Sequence, residues 1–305
     1  MHPVFMTISN IQSDVRMQAT SHAWRCIAFI PTPNFKVHPD FKTILLARLF
    51  HWSLNVVTAP LKEAARNGHT LVDTSGHIQT CYTPLVLYIA DLPEQQLIAG
   101  VSKNTSPVTM ADMSPFRESN LADPRTHDIT LAQIKDLCGK VDPWDIIAFQ
   151  KAAKAIKLLG VHRPFWRNWR FAEPSLFLSG EILHTRHKFF FDHPLNWCKV
   201  MAGAHTLDTR FSNLHKCVSF RHFLTRVSHR LQMTVRDHQD LERSIVPLLD
   251  GTGAVSDEFI GAIHAMVEFI YCAQDPVYTD SSIASMQRTL AEFHVRKPSI
   301  IRLGA

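Results

Sequence analysis

A chain of 305 residues that is 46% hydrophobic and 19% charged can bury one large core or two modest ones, and is too apolar for intrinsic disorder. Its formal charge of +5 fits a polyanionic partner such as nucleic acid without requiring one. Six cysteines (Cys26, Cys81, Cys138, Cys198, Cys217, Cys272) with no C-x-x-C pair argue against a zinc ribbon or a disulfide framework and favour a reducing compartment. The opening MHPVFMTISNIQSD has no signal-peptide pattern and no run approaches the ~18 apolar residues of a membrane span. The expectation is a soluble intracellular protein, nuclear or cytoplasmic, not secreted and without a membrane partner.

Residues 3–9 (PVFMTIS) and 23–30 (AWRCIAFI) read as two short strands, rich in β-branched and aromatic residues and plausibly antiparallel. After the proline-broken PTPNFKVHPD, residues 41–67 carry helical periodicity, with Ile44, Leu45, Leu49, Trp52 and Val56 at three- and four-residue spacings. Pro60 should kink or divide this helix, and Gly68 is a good terminator. A polar hairpin is expected over 70–81, a buried strand over 83–90 and a further short strand near 96–101. Residues 102–127 are loop by composition. Helices follow at 128–139 and 143–159, then HRPFWRNW as an aromatic, proline-containing turn. From Glu181 onward the period is helical: 181–192, 194–206, 218–233, 237–249, 256–273 and 281–294. No internal repeat or low-complexity tract is present.

The run TPLVLYIADLPEQQ ends abruptly on Asp91, with Glu94 close behind. A carboxylate there reads either as a solvated strand end or as a catalytic acid at the carboxyl end of a central strand. Strand, strand, long helix, strand ending in an acid, helical insert and a helix opening with an acid is the order of an RNase H-like nuclease core from its second strand onward. The first strand, which would carry the first acid, is missing from that order. Several mixed folds share so coarse a string. The expected class is therefore α/β: an incomplete RNase H-like core with a helical insertion and a mainly α-helical C-terminal half. The expected division is 1–101 for the N-terminal part of that core, 102–178 for a loop-rich helical insertion, and 179–305 for a helical remainder carrying the last acid.

The segments HPVFMTISNI, RLFHWSL, YIADLPEQQLIAGVSK, GVHRPFWRNW, SGEILHTRHKFFFDHPLNWC, LTRVSHRLQMTVRDHQDLERSIVPLL and FIYCAQDPVYTDSSIASMQRTLAEFHVRK occur in the order found in Plavaka-type transposases. The chain resembles that family over essentially its whole length. These are fungal, basidiomycete-rich DNA transposons related to the Kyakuja–Dileera–Zisupton group and more distantly to CACTA elements. The resemblance implies a DDE transposase domain that cuts and joins DNA strands with two Mg²⁺ (or Mn²⁺) ions. ADLPEQ matches the family's second-acid element and places Asp91 there, and SGEILHTRH places Glu181 at the last acid, both as metal ligands. His184 and His187, one and two turns on, become groups that orient Glu181 or touch a phosphate. Only Met1 and His2 precede the PVFMTISNI strand, so the first acid is expected to be absent and the chain truncated. The cysteine cluster that many relatives carry after PEQ is lacking in VSKNTSPVTMAD, so no zinc site is supported there.

In-line attack on a phosphodiester develops negative charge on the attacking and leaving oxygens, and two divalent ions ~3.5–4 Å apart can stabilise both. Such hard ions take carboxylate oxygens, and two acids of three leave an incomplete cage. Each candidate also has a plainer reading. Glu181 after Ser179-Gly180 favours a helix N-terminus electrostatically. His184 and His187 form an H-x-x-H pair, but the H-E-x-x-H of a zinc hydrolase is absent and 18 histidines make chance pairs common. Arg167 and Arg170 in RNWR interleave with tryptophan as DNA-contacting surfaces do. The alternative is a solvated turn whose tryptophans pack on the core. Arg226, Arg230, Arg236 and Arg243 are offset by acids as on an ion-paired helix face, and Trp24, Trp52 and Trp144 are expected in the core.

The sequence thus points to a transposon-derived protein resembling a DDE catalytic domain, degenerate and inactive alone, whose enzyme status as this chain stays open. The rival is a domesticated DNA- or protein-binding module without catalysis. DNA is the ancestral partner, self-association through an exposed sheet edge is possible, and no small-molecule cofactor is expected.

Overall fold

The computed structural model describes residues 1–111, 119, 121–180, 182–223, 226–230, 233–253, 255–302 and 304. The chain divides into two units, Met1–Ser179 and Gly180–Ala305, each built on a hydrophobic cluster of its own. It is a mixed α/β protein, mostly helical, with two two-stranded sheets among the described residues.

In the first unit β1 (His2–Met6) pairs antiparallel with β2 (Arg25–Ile30), as the sequence predicts; His2 lies opposite Ile30 and Met6 opposite Arg25. The polar link between them holds α1 (Ser13–Arg16) and a 3-10 turn at Ala19–Ser21. Next come α2 (Pro39–Val57) and α3 (Ala59–Asn67), bent by 54° where Pro60 removes an N–H and its ring blocks continuation. One buried stripe runs through both helices at three- and four-residue steps: Ile44, Ala47, His51, Leu54, Thr58, Lys62 and Ala65. Gly68 ends α3 at φ 76°, and a Cβ there would lie 2.5 Å from Thr80 Cγ2, so only glycine fits. The hairpin of β3 (His69–Val72) and β4 (Ile78–Cys81) follows, its turn tied by Asp73 accepting from the Ser75 and His77 amides, both at 2.9 Å.

Two predicted strands are not formed. Residues 83–90 run extended but make a single bridge, Tyr88 to Leu178, with the Tyr88 amide donating to Phe177 O at 2.7 Å. Most of 96–101 is helical instead: α4 (Leu92–Ala99) starts on Pro93 in its first turn and stops at Gly100, φ 73°. After the loop come α5 (His127–Lys140), capped by Thr126, and α6 (Ile146–Ala155), capped by Asp145. A 3-10 turn at Phe165–Asn168 and α7 (Pro174–Phe177) complete the unit. Ile98, Phe149, Phe165, Trp166 and Phe177 are fully buried.

The indoles of HRPFWRNW are core, as the plainer reading has it: Trp166 Nε1 donates to Ile98 O (2.7 Å) and Trp169 Nε1 to Thr83 O (2.9 Å). Trp24, Trp52 and Trp144, expected in the core, are instead 40%, 63% and 73% exposed. Trp52 falls beside the buried stripe of α2 rather than on it, and Trp144 sits in the turn before α6.

The second unit opens with a π-helical turn at Leu183–His187 leading into α8 (Lys188–Asp192). Then follow α9 (Pro194–Ala202), α10 (Ala204–Ser212), α11 (Val235–Leu249), α12 (Asp257–Cys272), α13 (Asp280–Arg296) and α14 (Pro298–Arg302). Phe190, Phe211, Leu241, Ile245, Phe259 and Ile263 anchor its core. The helix predicted over 218–233 is not formed in the described residues, which hold only a 3-10 turn at Val227–His229. Carboxylates capture its amides: Arg221 N donates to Asp240 (2.9 Å) and Ser228 N to Asp208 (2.9 Å), while Ser219 turns left-handed at φ 68°. No single helix among the described residues is long and apolar enough to cross a membrane.

Candidate functional site

Asp91 ends the extended segment and is the N-cap of α4. Its Oδ1 accepts the Glu94 amide at 2.9 Å, and its side chain is exposed. Glu94 turns back to Tyr88, whose hydroxyl donates to Glu94 Oε1 at 3.1 Å. Burial first, then the nearby Glu94 charge, drives the Tyr88 phenol well above its ordinary value. Gln95 is buried and its amide nitrogen donates to Ala90 O (2.8 Å) and Ser179 O (2.7 Å). The ADLPEQ element is thus a helix start with every polar side chain assigned: Asp91 caps, Glu94 receives the phenol, and Gln95 ties two carbonyls. Asp91 keeps its Oδ2 outside the cap.

The other expected acid, Glu181, lies outside the described residues. His184 lies on the π-helical turn, and the role expected of its side chain falls outside what the structure describes. His187 is fully buried, and its Nδ1 donates to both oxygens of Glu242, at 2.9 and 3.0 Å. The His238 ring stacks on it with centroids 6.2 Å apart, and His187 Nε2 has no hydrogen-bond partner among the described residues. Burial raises the Glu242 carboxyl, opposed by the His187 hydrogen bond and charge; burial brings His238 down to about 4. Glu242 was not among the sequence candidates. Its signal was its place on the buried stripe of α11 with His238, Leu241, Ile245 and Leu249.

Arg167 is half-buried, and its Nη1 donates to Pro164 O (3.1 Å), Arg163 O (3.4 Å) and Asn55 Oδ1 (3.4 Å). Arg170 is exposed, its guanidinium over the Phe171 ring at 4.7 Å. Sequence reasoning missed Lys62, which is only 4% exposed. Its Nζ donates to Asn55 Oδ1 (2.7 Å), to Asn168 Oδ1 (3.1 Å) and to Phe165 O. Burial, then the Arg167 charge, pull its ammonium down to about 8. In the second unit the arginines do meet acids: Arg221 and Arg230 reach Asp237 (2.8 and 4.0 Å), and Arg243 reaches Asp240 (3.4 Å). Arg236 turns to Ser219 O instead, at 2.7 Å.

Residues 1–198 match the family model described as Plavaka transposase, which makes this a transposase-like protein derived from a transposable element. The match spans the whole first unit and the start of the second, and the chain belongs to the Plavaka transposase family. Among curated proteins and solved structures, none matches the chain.

A divalent ion in such a protein needs several oxygen donors converging on one point. Asp91 Oδ2 is one, but among the described residues no three His, Cys, Asp or Glu side chains converge to hold a metal. The described donors do not amount to a cation cage, and no chemical step is assigned to a metal.

Proposed function

We propose that this chain descends from a DDE-type transposase catalytic domain with an RNase H-like core, and that it engages DNA without cutting it on its own. In this reading Asp91 and Glu181 are the inherited second and last acids and the ligands of Mg²⁺ or Mn²⁺. His184 and His187 lie close to Glu181 in sequence as its supporting groups, and Arg167 and Arg170 contact DNA. The observation that carries it is Asp91 itself: an exposed carboxylate ending the apolar run LVLYIA, within the residues that match the family model. The order of antiparallel pair, long helix and extended segment ending in an acid supports the RNase H-like part.

A nicking assay on supercoiled DNA with Mg²⁺ or Mn²⁺ tests this, comparing the chain with Asp91→Asn. Asparagine caps a helix about as well as aspartate, so the variant keeps α4 and removes only the charge. The expected result is no metal-dependent nicking by either protein. Nicking by the chain that vanishes in Asp91→Asn would establish an active DDE enzyme and overturn the inactivity.

The second reading is a domesticated DNA- or protein-binding module without catalysis, and it is favoured by Lys62 and Arg167, which meet no carboxylate among the described residues. It expects binding that falls steeply with salt and is indifferent to metal.

A further inference from the structure

We propose that Arg163 and Arg167, backed by the buried charge of Lys62, form a phosphate-backbone site for DNA on the first unit, flanked by Trp52 and Trp144 as stacking platforms for unpaired bases. This rests on the reading of the chain as DNA-engaging and says where and how it does so.

Three observations point there. First, the cations are joined and uncompensated. Lys62 and Arg167 share Asn55 Oδ1, at 2.7 and 3.4 Å, and Arg163 lies four residues before Arg167, its carbonyl accepting from Arg167 Nη1 at 3.4 Å. None of the three meets a carboxylate among the described residues; Lys62 and Arg167 donate to amide and carbonyl oxygens. The acid on α3, Glu63, is engaged by Arg66 at 3.6 Å and by Asn67. Second, the charges act on one another. After burial, the Arg167 charge pulls the Lys62 ammonium down, and the Arg163 charge does the same to Arg167. Like charges held together without counter-ions are stabilised by an arriving polyanion, because the anion relieves their repulsion while releasing its own condensed counterions.

Third, two large aromatics stand in solvent beside this cluster. Trp52 lies one helical turn before Asn55 on α2 and is 63% exposed. Trp144 is 73% exposed, and its ring meets His162, the neighbour of Arg163, edge-on at 5.6 Å. An exposed indole next to a cation is the pairing by which single-stranded nucleic acid is held with little regard to sequence: the cation takes a phosphate, the ring takes a base. Single-stranded or locally unpaired DNA is therefore the ligand, in preference to regular duplex.

The test measures binding of a fluorescein-labelled single-stranded oligonucleotide, and of its duplex, by anisotropy across a salt series. Arg163→Gln/Arg167→Gln is compared with Arg288→Gln/Lys216→Gln, which removes the same charge from exposed positions of the second unit. The patch variant should bind single strands about tenfold or more weakly, with the slope of log affinity against log salt shallower by about 1.4, as for two lost phosphate contacts. The control should bind like the unmodified chain. Trp52→Ala and Trp144→Ala, both at exposed positions, should each lose about tenfold on single strands and little on duplex, with the salt slope unchanged.

Equal losses in patch and control variants would reduce the effect to net charge and overturn the site. DNA binding by the chain that all patch variants retain in full would overturn the site while leaving the DNA-engaging reading intact. No binding of either DNA form would overturn that reading itself. Poly-glutamate bound as tightly as the oligonucleotide, regardless of Trp52→Ala, would replace DNA with an acidic protein partner.

Discussion

At the scale of the residue, His51 is fixed as a neutral ring by its two neighbours. Nε2–H donates to Leu97 O at 2.9 Å, and Nδ1 accepts the Phe165 amide at 3.1 Å, with the ring fully buried. A second proton would turn Nδ1 into a donor facing another donor. Burial accordingly takes the group from 6.5 down to about 4, against the Leu97 carbonyl, which raises it, and with Arg167 lowering it further. His162 moves the same way, also to about 4, through burial and then Arg48, Arg163 and Arg167. Between 6.5 and about 4 the unfolded chain binds more protons than the folded one, so this contribution is whole above the upper value and is lost as pH falls through the window. For His51 alone the full loss is on the order of 3 kcal/mol. Urea midpoints should fall between about pH 7 and about pH 5, and fall less in His51→Gln, whose own offset is a lower midpoint near neutrality. A midpoint as steep in the variant as in the unmodified chain would remove His51 as the cause.

At the scale of the element, α11 carries three buried acids, and each is matched. Asp237 closes the capping box with Thr234 and takes Arg221, Asp240 takes the Arg221 amide and Arg243, and Glu242 takes His187 from the π-helical turn. Removing the last leaves a buried ring N–H with no acceptor in a low-dielectric setting. Glu242→Ala should therefore destabilise the second unit by about 3–5 kcal/mol, whereas Glu242→Gln keeps a carbonyl for Nδ1–H and should lose less. Equal losses, read by chemical denaturation, would show that the space filled by the side chain matters and the hydrogen bond does not. Elements with a repeating stripe were the legible ones: α2 and α3 with Pro60 and Gly68 as punctuation, α11, α12 and α13 with their caps. What sequence left unresolved depended on partners far along the chain. LVLYI reads as a strand from its own composition, but a strand needs a neighbour, and among the described residues it makes one bridge, Tyr88 to Leu178. QLIAGV is too short and apolar to distinguish strand from helix by period, and the Asp91 cap with Pro93 decided for helix. In the site, Asp91 was legible from its motif. Lys62 and Glu242 were hidden because each polar residue occupies an apolar stripe position, where it reads as an interruption rather than as a buried charge.

At the scale of the whole molecule, the two hydrophobic clusters share no residue: one is drawn from Ile30 to Leu178, the other from Phe190 to Ile300. The family match runs through all of the first and stops at Cys198, inside the second. Cooperativity in unfolding follows from shared burial, because opening one part of a common core exposes the rest. Two clusters without a common member give each unit a transition of its own. Ile98→Ala in the first and Ile263→Ala in the second each delete a fully buried side chain and should cost about 2–5 kcal/mol of the unit that holds them. Calorimetry of the full chain is expected to resolve two transitions, with Ile98→Ala lowering one and Ile263→Ala the other. A single transition lowered alike by both would mean that the units unfold as one body. The same pair of variants then bears on the DNA site. Lys62, Arg163 and Arg167 all belong to the first unit, so bound oligonucleotide should raise only the transition that Ile98→Ala lowers, by linkage between binding and folding.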